Sequence, residues 1–171
     1  MPSPTALKKI LLCPLLIHRN TYKYCNGGNN QLTKYCNDPR WGYEDYTDTL
    51  TVLQDEDDLA MISWGSDWRM PSQREWYELI SYCSHNWTNK NGTNGLVFTS
   101  PNGGGLFFPA TGYYFENEFV NDNVIGYYWS NSITPSSPMY SRGITFSSND
   151  YYVGSTWRCY GVPVRPVHSS K

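Results

Sequence analysis

The apolar positions of the chain indicate helices in the part before Cys83 and β-strands in the part after it. Ser72–Cys83 is predicted to be an amphipathic helix, because its apolar residues recur at i, i+3, i+4 and i+7. Pro71 and Ser72 open this helix, and Ser72 and Glu75 have the spacing of a capping box. The residues of its apolar face are Trp76, Leu79, Ile80 and Cys83.

A shorter helix is predicted to begin in the acidic run Asp55–Asp58 and to continue to Ile62. Acidic side chains in a first turn complement the positive end of the helix dipole. The same run could hold calcium, which prefers several carboxylate oxygens, but it lacks the spacing and the glycine of an EF-hand loop. We therefore interpret it as a solvated helix start.

β-Structure is predicted after Cys83. The segments Val97–Thr99 and Leu106–Phe108 flank the turn-forming sequence Ser100–Gly105, and this arrangement predicts a hairpin. We expect long polar loops between the strands that follow, and loops of that kind are either functional or disordered. These further strands are predicted at Tyr127–Ser130, Gly143–Phe146 and Val162–Val167.

Length and charge limit the classes of function. A chain of 171 residues predicts one domain with a real hydrophobic core. Its net charge of −2 gives no electrostatic reason to bind nucleic acid or an anionic membrane. No apolar run of the sequence approaches the ~20 residues of a transmembrane helix, and no motif indicates a cofactor.

The five cysteines, at positions 13, 25, 36, 83 and 159, do not predict a metal centre. No CxxC pair occurs, and the three histidines are scattered, which argues against a zinc site. In an oxidising compartment Cys25 and Cys36 could close a short disulfide-bonded loop that stabilises the fold by roughly 2–3 kcal/mol. The alternative is that both are buried thiols.

The stretch Gly126–Val167 has the composition of a contact surface. Tyr, Ser, Asn, Gly and Trp dominate it, and its sequence contains no His, Lys or Glu, which makes it poor in acid–base groups. Tyrosine and tryptophan supply rigid amphipathic area, and small polar residues supply adaptable hydrogen bonds. The alternative is an ordinary tyrosine-rich β-domain with polar turns. The residues predicted to bind a ligand are Tyr140, Arg142, Tyr151, Tyr152 and Trp157, with Asn131, Ser148 and Asn149 as polar accessories.

The exposure of the aromatic rings separates these alternatives. We expect Tyr151 or Tyr152 to be substantially exposed, and the exposed rings to cluster with Trp157 on one face. Neighbouring residues of a strand point to opposite faces. At least one of Tyr127 and Tyr128 should therefore point to the face opposite that of Trp129.

Four segments of the chain resemble one known family. GYYWS and RCYGVPVRPV, at the two ends of the Gly126–Val167 stretch, resemble the end of a Fibrobacter succinogenes major paralogous domain. The resemblance covers about Thr21 to Val167, in order. The matching upstream segments are YKYCNGGNNQLTKYC (Tyr22–Cys36), LQDEDDLAMISWGSDWRMPSQREWYELI (Leu53–Ile80) and NKNGTNGLVFTSPNGGGLFFPATGYY (Asn89–Tyr114).

The resemblance implies an α+β, C-type-lectin-like domain, in which short helices precede a small, twisted, mainly antiparallel sheet with long polar loops. It also implies a protein that is secreted, displayed on a bacterial cell surface or carried by a phage. The calcium-dependent sugar-binding motifs of that superfamily, Glu-Pro-Asn or Gln-Pro-Asp followed by Trp-Asn-Asp, do not occur in the sequence. Arg165 is expected to be paired near the end of the sheet. The residues expected to be buried are Trp68, Trp76, Leu79, Phe98, Phe108, Trp129, Phe146 and Val164.

The domain is predicted to span residues 21–167, between an atypical segment 1–20 and a tail 168–171. Lys8 and Lys9 precede an apolar run that Pro14 interrupts, so segment 1–20 is either a degenerate export signal or a truncated start. If the first strand of the family is missing there, the C-terminal strand is left as an exposed edge.

We expect a non-enzymatic ligand-binding or adhesion module, whose partner is a protein or glycan on another cell or surface. A structural subunit of a fimbria or a phage is the alternative. An enzyme would need either Cys159 as a nucleophile or a facing pair of carboxyls among Glu116, Glu118 and Asp122. The pattern of Ser, Asn, Tyr and Asp is also compatible with diversification by a retroelement that substitutes template adenines.

Overall fold

Four antiparallel sheets and two short helices make up the part of the chain that a computed structural model describes, residues 23–26, 31–115 and 118–168. The α+β class with mainly antiparallel strands is confirmed. The predicted segment 1–20 and most of the tail 168–171 lie outside the described residues. The helical elements are two 3₁₀ turns (Tyr43–Asp45 and Asp55–Asp57), α1 (Leu59–Trp64) and α2 (Gln73–Tyr82). The strands are β1 (Trp68–Arg69), β2 (Ser84–Lys90), β3 (Thr93–Thr99), β4 (Gly105–Pro109), β5 (Thr111–Phe115), β6 (Glu118–Asp122), β7 (Gly126–Ile133), β8 (Tyr140–Phe146), β9 (Tyr151–Trp157) and β10 (Val167–His168).

The strands form separate small sheets instead of the single sheet that was expected. β7, β8 and β9 form one antiparallel sheet, which we call the C-terminal sheet, and β2, β3 and β4 form another. Two-stranded sheets pair β5 with β6 and β1 with β10. The predicted hairpin across Ser100–Gly105 is confirmed, since Phe98 of β3 pairs with Leu106 of β4.

The long polar loops predicted for the C-terminal sheet are wrong, because most of that sequence is strand. β7 extends to Ile133, and β8 and β9 follow it after short connections. These connections are residues 134–139 and 147–150. Tyrosine and threonine fit a pleated, half-buried surface, and pairing between neighbouring strands outweighs the polarity of the segment.

The predicted strand Val162–Val167 is also largely wrong. Only the end of this segment belongs to β10, which pairs with β1. Pro163 and Pro166 have no N–H group to donate to a sheet. The segment still lies along β7, because the Pro163 carbonyl accepts the Trp129 N–H at 3.0 Å.

Helix α2 begins and ends where the sequence predicts. Ser72 is its N-cap: the Ser72 hydroxyl accepts the Glu75 N–H at 3.2 Å, and the Glu75 carboxylate accepts the Ser72 N–H at 2.8 Å. Cys83 is its C-cap and donates its N–H to the Leu79 carbonyl at 3.1 Å. Trp76, on the apolar face, is 3% exposed. The capping box and the period of the apolar residues therefore both predicted this helix correctly.

The expectation of a solvated helix start is wrong for two of the four acids before α1. Asp58 caps α1, since its carboxylate accepts the N–H groups of Ala60 and Met61 at 2.9 and 3.1 Å. It also accepts the Met70 N–H at 2.8 Å, and it is buried. The Asp57 side chain is 2% exposed. A buried carboxylate is tolerated because several donors surround it.

The main core lies between helix α2 and the two three-stranded sheets. The Trp76 and Phe108 rings meet edge-on at 5.7 Å, and the Tyr128 and Phe146 rings stack at 6.0 Å. Of the residues expected to be buried, Trp68, Leu79 and Trp129 are only half-buried, and the other five are buried. The buried members of the main core are Trp76, Leu96, Phe98, Phe108, Tyr128, Ile144 and Phe146.

Neighbouring rings of β7 point to opposite faces of the C-terminal sheet, as predicted. Tyr128 lies in the main core, where its hydroxyl donates to the Pro109 carbonyl at 2.9 Å. Trp129 packs instead against a small cluster around Met70. We call the face that carries Tyr128 the inner face and the face that carries Tyr127 the outer face.

Arg158 joins residues 31–36, which we call the N-terminal segment, to the end of β9. It is buried, with 5% of the residue exposed. Its guanidinium donates to the carbonyls of Tyr35, Pro138 and Lys34 at 2.9, 2.7 and 3.1 Å. It also lies over the Tyr35 ring, 5.7 Å from the centroid. The planar fork of N–H donors suits convergent carbonyls, so one side chain holds three parts of the chain together.

A buried carboxylate holds the same N-terminal segment against the turn before α1. The ammonium of Lys34 and the hydroxyl of Tyr35 both lie 2.6 Å from one oxygen of Asp57. Lys23 and the hydroxyl of Tyr24 reach the other oxygen. The four donors compensate for the removal of this charge from water.

We expect the Arg69–Glu75 pair to make stability depend on acid pH. A hydrogen bond from the Arg69 guanidinium, 2.6 Å away, lowers the pKa of Glu75 from 4.5 to about 2. The charged carboxylate therefore contributes stability above about pH 4.5, and this contribution is lost as the pH falls towards 2. Each side chain of the pair is 33% exposed, so solvent screens the interaction. We therefore expect the charged pair to contribute about 1–2 kcal/mol to the free energy of unfolding, less than the pKa shift alone would imply.

Glu75→Gln should therefore lower the free energy of unfolding by about 1–2 kcal/mol at neutral pH and by much less near pH 2. Urea unfolding at the two pH values measures this difference. Glu78→Gln, on the same helix, is the control and should cost at most about 0.5 kcal/mol, because its partner Arg74 is exposed. An equal loss for Glu75→Gln at both pH values would contradict the assignment.

We expect Arg158→Met to lower the free energy of unfolding by about 3–5 kcal/mol. Methionine fills much of the space but leaves three buried carbonyls without their donor. Arg40→Met is the matched control and should cost less than about 0.5 kcal/mol, because the Arg40 side chain is 83% exposed. Urea unfolding followed by tryptophan fluorescence compares the two, and similar losses would show that Arg158 has no special role.

Candidate functional site

The eight residues predicted to bind a ligand do not share one surface. The register between β8 and β9 is continuous, so side chains alternate between the two faces of the sheet without a shift. Residues 147–150 form the exposed turn that connects the two strands. The inner face carries Tyr140, Arg142, Tyr151 and Trp157, the outer face carries Tyr152, the turn carries Ser148 and Asn149, and β7 carries Asn131.

Tyr140 and Trp157 support the N-terminal segment. Their ring centroids lie 4.6 Å apart, and both rings pack against a second cluster that contains Leu32, Cys36 and Met139. Both residues are half-buried. Their contacts are therefore those of packing residues at the open end of the β8–β9 hairpin.

Cys25 and Cys36 pack against the same cluster, but no disulfide joins them in this structure. Cys36 is buried, and burial raises the pKa of its thiol, which lowers the fraction of reactive thiolate. Their common cluster is compatible with the predicted bridge, which stays a prediction.

Of Tyr151 and Tyr152, Tyr152 is the exposed residue, with 51% of its surface accessible. The prediction that one of these two rings is substantially exposed is therefore confirmed. Tyr151 is half-buried, and its ring centroid lies 4.0 Å from that of His85. The predicted cluster of Tyr152 with Trp157 is wrong, because an odd separation along one strand places two side chains on opposite faces.

Two arginines of this region differ from their predicted roles. Arg142 is half-buried, and its Nε is buried without a hydrogen-bond partner among the described residues. Arg165 was expected to be paired by charge-assisted hydrogen bonds. Its guanidinium instead lies 5.3 Å from the centroid of the Phe108 ring, a cation–π contact.

The outer face carries neutral aromatic and hydroxyl side chains. Tyr127, Thr145 and Tyr152 pair in register across the three strands. In the next row, Trp129 stands beside two glycines, Gly143 and Gly154. The strand residues of this face carry no charge, and they are Tyr127, Trp129, Ser141, Gly143, Thr145, Tyr152, Gly154 and Thr156.

Rings from two other segments extend this face. Tyr113 of β5 lies edge-on to Tyr127 at 5.1 Å and stacks on Tyr160 at 4.5 Å. Phe115 contacts Tyr160 at 5.1 Å. We call Tyr113, Tyr127, Tyr152 and Tyr160 the tyrosine face.

The phenol group of Tyr127 lies within electrostatic reach of the phenols of Tyr113 and Tyr152. Burial raises the pKa of Tyr127 above 10, and the phenols of Tyr113 and Tyr152 raise it further, while a hydrogen bond with the side chain of Asn121 lowers it. At neutral pH each hydroxyl can donate one hydrogen bond and accept others. The face therefore offers neutral polar groups beside aromatic surface, a combination that is typical of binding sites.

Two of the acids considered for catalysis lie far apart along one strand. Glu118 and Asp122 occupy the two ends of β6, and four strand residues span about 13 Å. Paired carboxyls of glycosidases lie at most about 9.5 Å apart. Glu116 lies outside the described residues, and Cys159 is buried.

The described ranges contain neither a cluster of metal ligands nor a helix that could span a membrane. In them, no group of three or more His, Cys, Asp or Glu side chains is arranged to hold a metal ion. The helices in those ranges are all too short or too polar to cross a bilayer.

Comparison with known proteins does not assign this chain to a family. No family model, no curated protein and no solved structure matches it. The resemblance of its four segments to the Fibrobacter succinogenes major paralogous domain stays a prediction.

Of the four members of the tyrosine face, the sequence analysis predicted only Tyr152 as a ligand-binding residue. If β8 and β9 had been recognised as strands, the alternation of side chains between the two faces of the sheet would have indicated that Tyr127 and Tyr152 lie on the same face. Tyr113 and Tyr160 come from distant segments, and no local pattern indicates that their rings stack.

We expect Tyr127→Phe to change how stability depends on alkaline pH. At neutral pH the variant should lose up to about 1 kcal/mol, because it lacks the hydrogen bond with Asn121. In the wild type the folded pKa of Tyr127 is raised, so stability from this group is present below about pH 10 and is lost as the pH rises through the folded value. The difference between variant and wild type should shrink from pH 7 to pH 11 in urea unfolding. A difference that is constant across this range would contradict the assignment.

Proposed function

We propose that the chain is a non-enzymatic ligand-binding or adhesion module, which presents the tyrosine face on a C-type-lectin-like scaffold. One observation carries the proposal: Tyr152 is 51% exposed in a row of hydroxyl-bearing side chains, Tyr127, Thr145 and Tyr152. The inner face of the same sheet is occupied by the main core and by the second cluster. Recognition residues are most effective on a rigid scaffold, and β-strands supply one.

The C-type-lectin-like part of the proposal is supported by the order and pairing of the elements. Both helices precede the three-stranded sheets, and the capped helix α2 contacts all three strands of the C-terminal sheet. β10 returns to pair with β1, which comes just before α2. The C-terminal strand therefore lies beside the strand that leads into α2, and the exposed edge that was expected for it is paired on one side.

The proposed partner is a protein or glycan on another cell or surface, and the proposed location is a bacterial cell surface, the extracellular medium or a phage. A structural surface subunit is the alternative. It is favoured by two exposed apolar side chains beyond the tyrosine face, Phe119 at 53% and Val124 at 58%, which a neighbouring subunit could cover.

The test is a binding screen of the full chain on arrays of glycans and cell-surface proteins. Tyr152→Ala should weaken any specific binding by about tenfold or more, because exposed aromatic residues act as anchors at binding sites. Tyr82→Ala is the matched control, since Tyr82 is 74% exposed at the end of α2 and away from the tyrosine face. If binding survives Tyr152→Ala, or falls equally in both variants, the tyrosine face is not the binding surface.

A further inference from the structure

Tyr152 leans along β9 into space that a side chain at position 154 would fill. A Cβ atom added to Gly154 would lie 2.6 Å from Cε2 and 2.8 Å from Cδ2 of the Tyr152 ring. Gly154 does not have a positive φ, so its backbone does not require glycine. The glycine is needed here for space, and it sets the position of the exposed ring on the sheet.

The surroundings of this ring select against a charged ligand. The strand residues of the outer face are uncharged, and the groups nearest to the ring in register are the Thr145 hydroxyl and the Tyr127 phenol. An ion stacked on the ring would lose part of its hydration without gaining a compensating charge from the strands. A neutral ligand with several hydroxyl groups has no such cost, and it can bond to the phenols and to the Asn121 side chain beside Tyr127.

The exposed apolar surface of the outer face is centred on one ring. A stable interface buries about 800 Å² on each partner around an apolar centre. Among the described large apolar side chains that are more than a third exposed, Tyr152 is the one that belongs to the outer face. One ring with neutral hydrogen-bonding groups at its edge matches a ligand of about the size of the ring.

We propose that the tyrosine face binds a neutral pyranose ring, which stacks on Tyr152 and bonds through its hydroxyl groups to the side of Tyr127. One face of a pyranose can present C–H groups, which are slightly positive, and the face of an aromatic ring is slightly negative. Gly154 acts as a positioning residue that holds the ring where a sugar can reach both the ring and the phenols. This inference rests on the proposed ligand-binding function and specifies its ligand class.

The test uses the full chain and three probes: the methyl β-glycosides of galactose and glucose and the methyl α-glycoside of mannose. We expect at least one to bind with a Kd of about 1–10 mM by calorimetry or by NMR titration, as a ligand of this size permits. Tyr152→Ala should weaken this binding at least about tenfold, and Tyr152→Phe should keep it within about threefold, because the ring is retained. Gly154→Ala should weaken it by about three- to tenfold, because the added methyl group displaces an unaltered ring.

The outcomes separate the two proposals. Tyr82→Ala should bind the sugar as the wild type does, and circular dichroism should show that each variant is folded. If Gly154→Ala does not fold, Tyr152→Ala and Tyr152→Phe still decide whether the ring is the platform. Failure of all three probes, together with Tyr152-dependent binding of a protein on the array, overturns the sugar inference but keeps the binding function. If no ligand of either class depends on Tyr152, both proposals fail.

Discussion

The buried guanidinium of Arg158 is the contact on which the arrangement of the C-terminal sheet depends. It supplies hydrogen bonds to carbonyls from the N-terminal segment and from the 134–139 connection, which would otherwise be buried without donors. The backbone N–H of the same residue donates to the Met139 carbonyl at 3.0 Å. Backbone and side chain together close the open end of the β8–β9 hairpin, and the Tyr140 and Trp157 rings cover it.

Charge is distributed unevenly between the two halves of the molecule. The half that precedes β2 is fastened by carboxylates, of which Asp57, Asp58 and Glu75 all accept hydrogen bonds from neighbouring backbone or side chains. The C-terminal sheet is held instead by ring packing, by strand pairing and, at its open end, by the hydrogen bonds of Arg158 to backbone carbonyls. Its outer face can therefore present uncharged groups without the loss of an ion pair that the fold requires.

Local signals predicted local structure well, and they failed where the deciding contacts were distant. The capping box of Ser72 and Glu75 and the apolar period around Trp76 defined α2, because all of those interactions lie within one helix. The burial of Asp57 depends on donors such as Lys34, 23 positions earlier in the chain, and no spacing rule indicates such a contact. β9 and the first half of β8 were interpreted as loop because their sequences are polar, and only their pairing makes them strands.

The alternation of side chains in the C-terminal sheet separates two kinds of evolutionary constraint. Positions that point inward, such as Tyr128 and Ile144, fill the core, and their replacement would leave a cavity. Positions that point outward are less uniform: Tyr152 is 51% exposed, whereas Thr145 is buried and Trp129 packs against the cluster around Met70. A lineage could exchange the exposed Tyr152 with little loss of folding stability, whereas a side chain at Gly143 would clash with the Tyr128 carbonyl oxygen. What the sheet recognises can therefore diverge faster than the architecture that presents it.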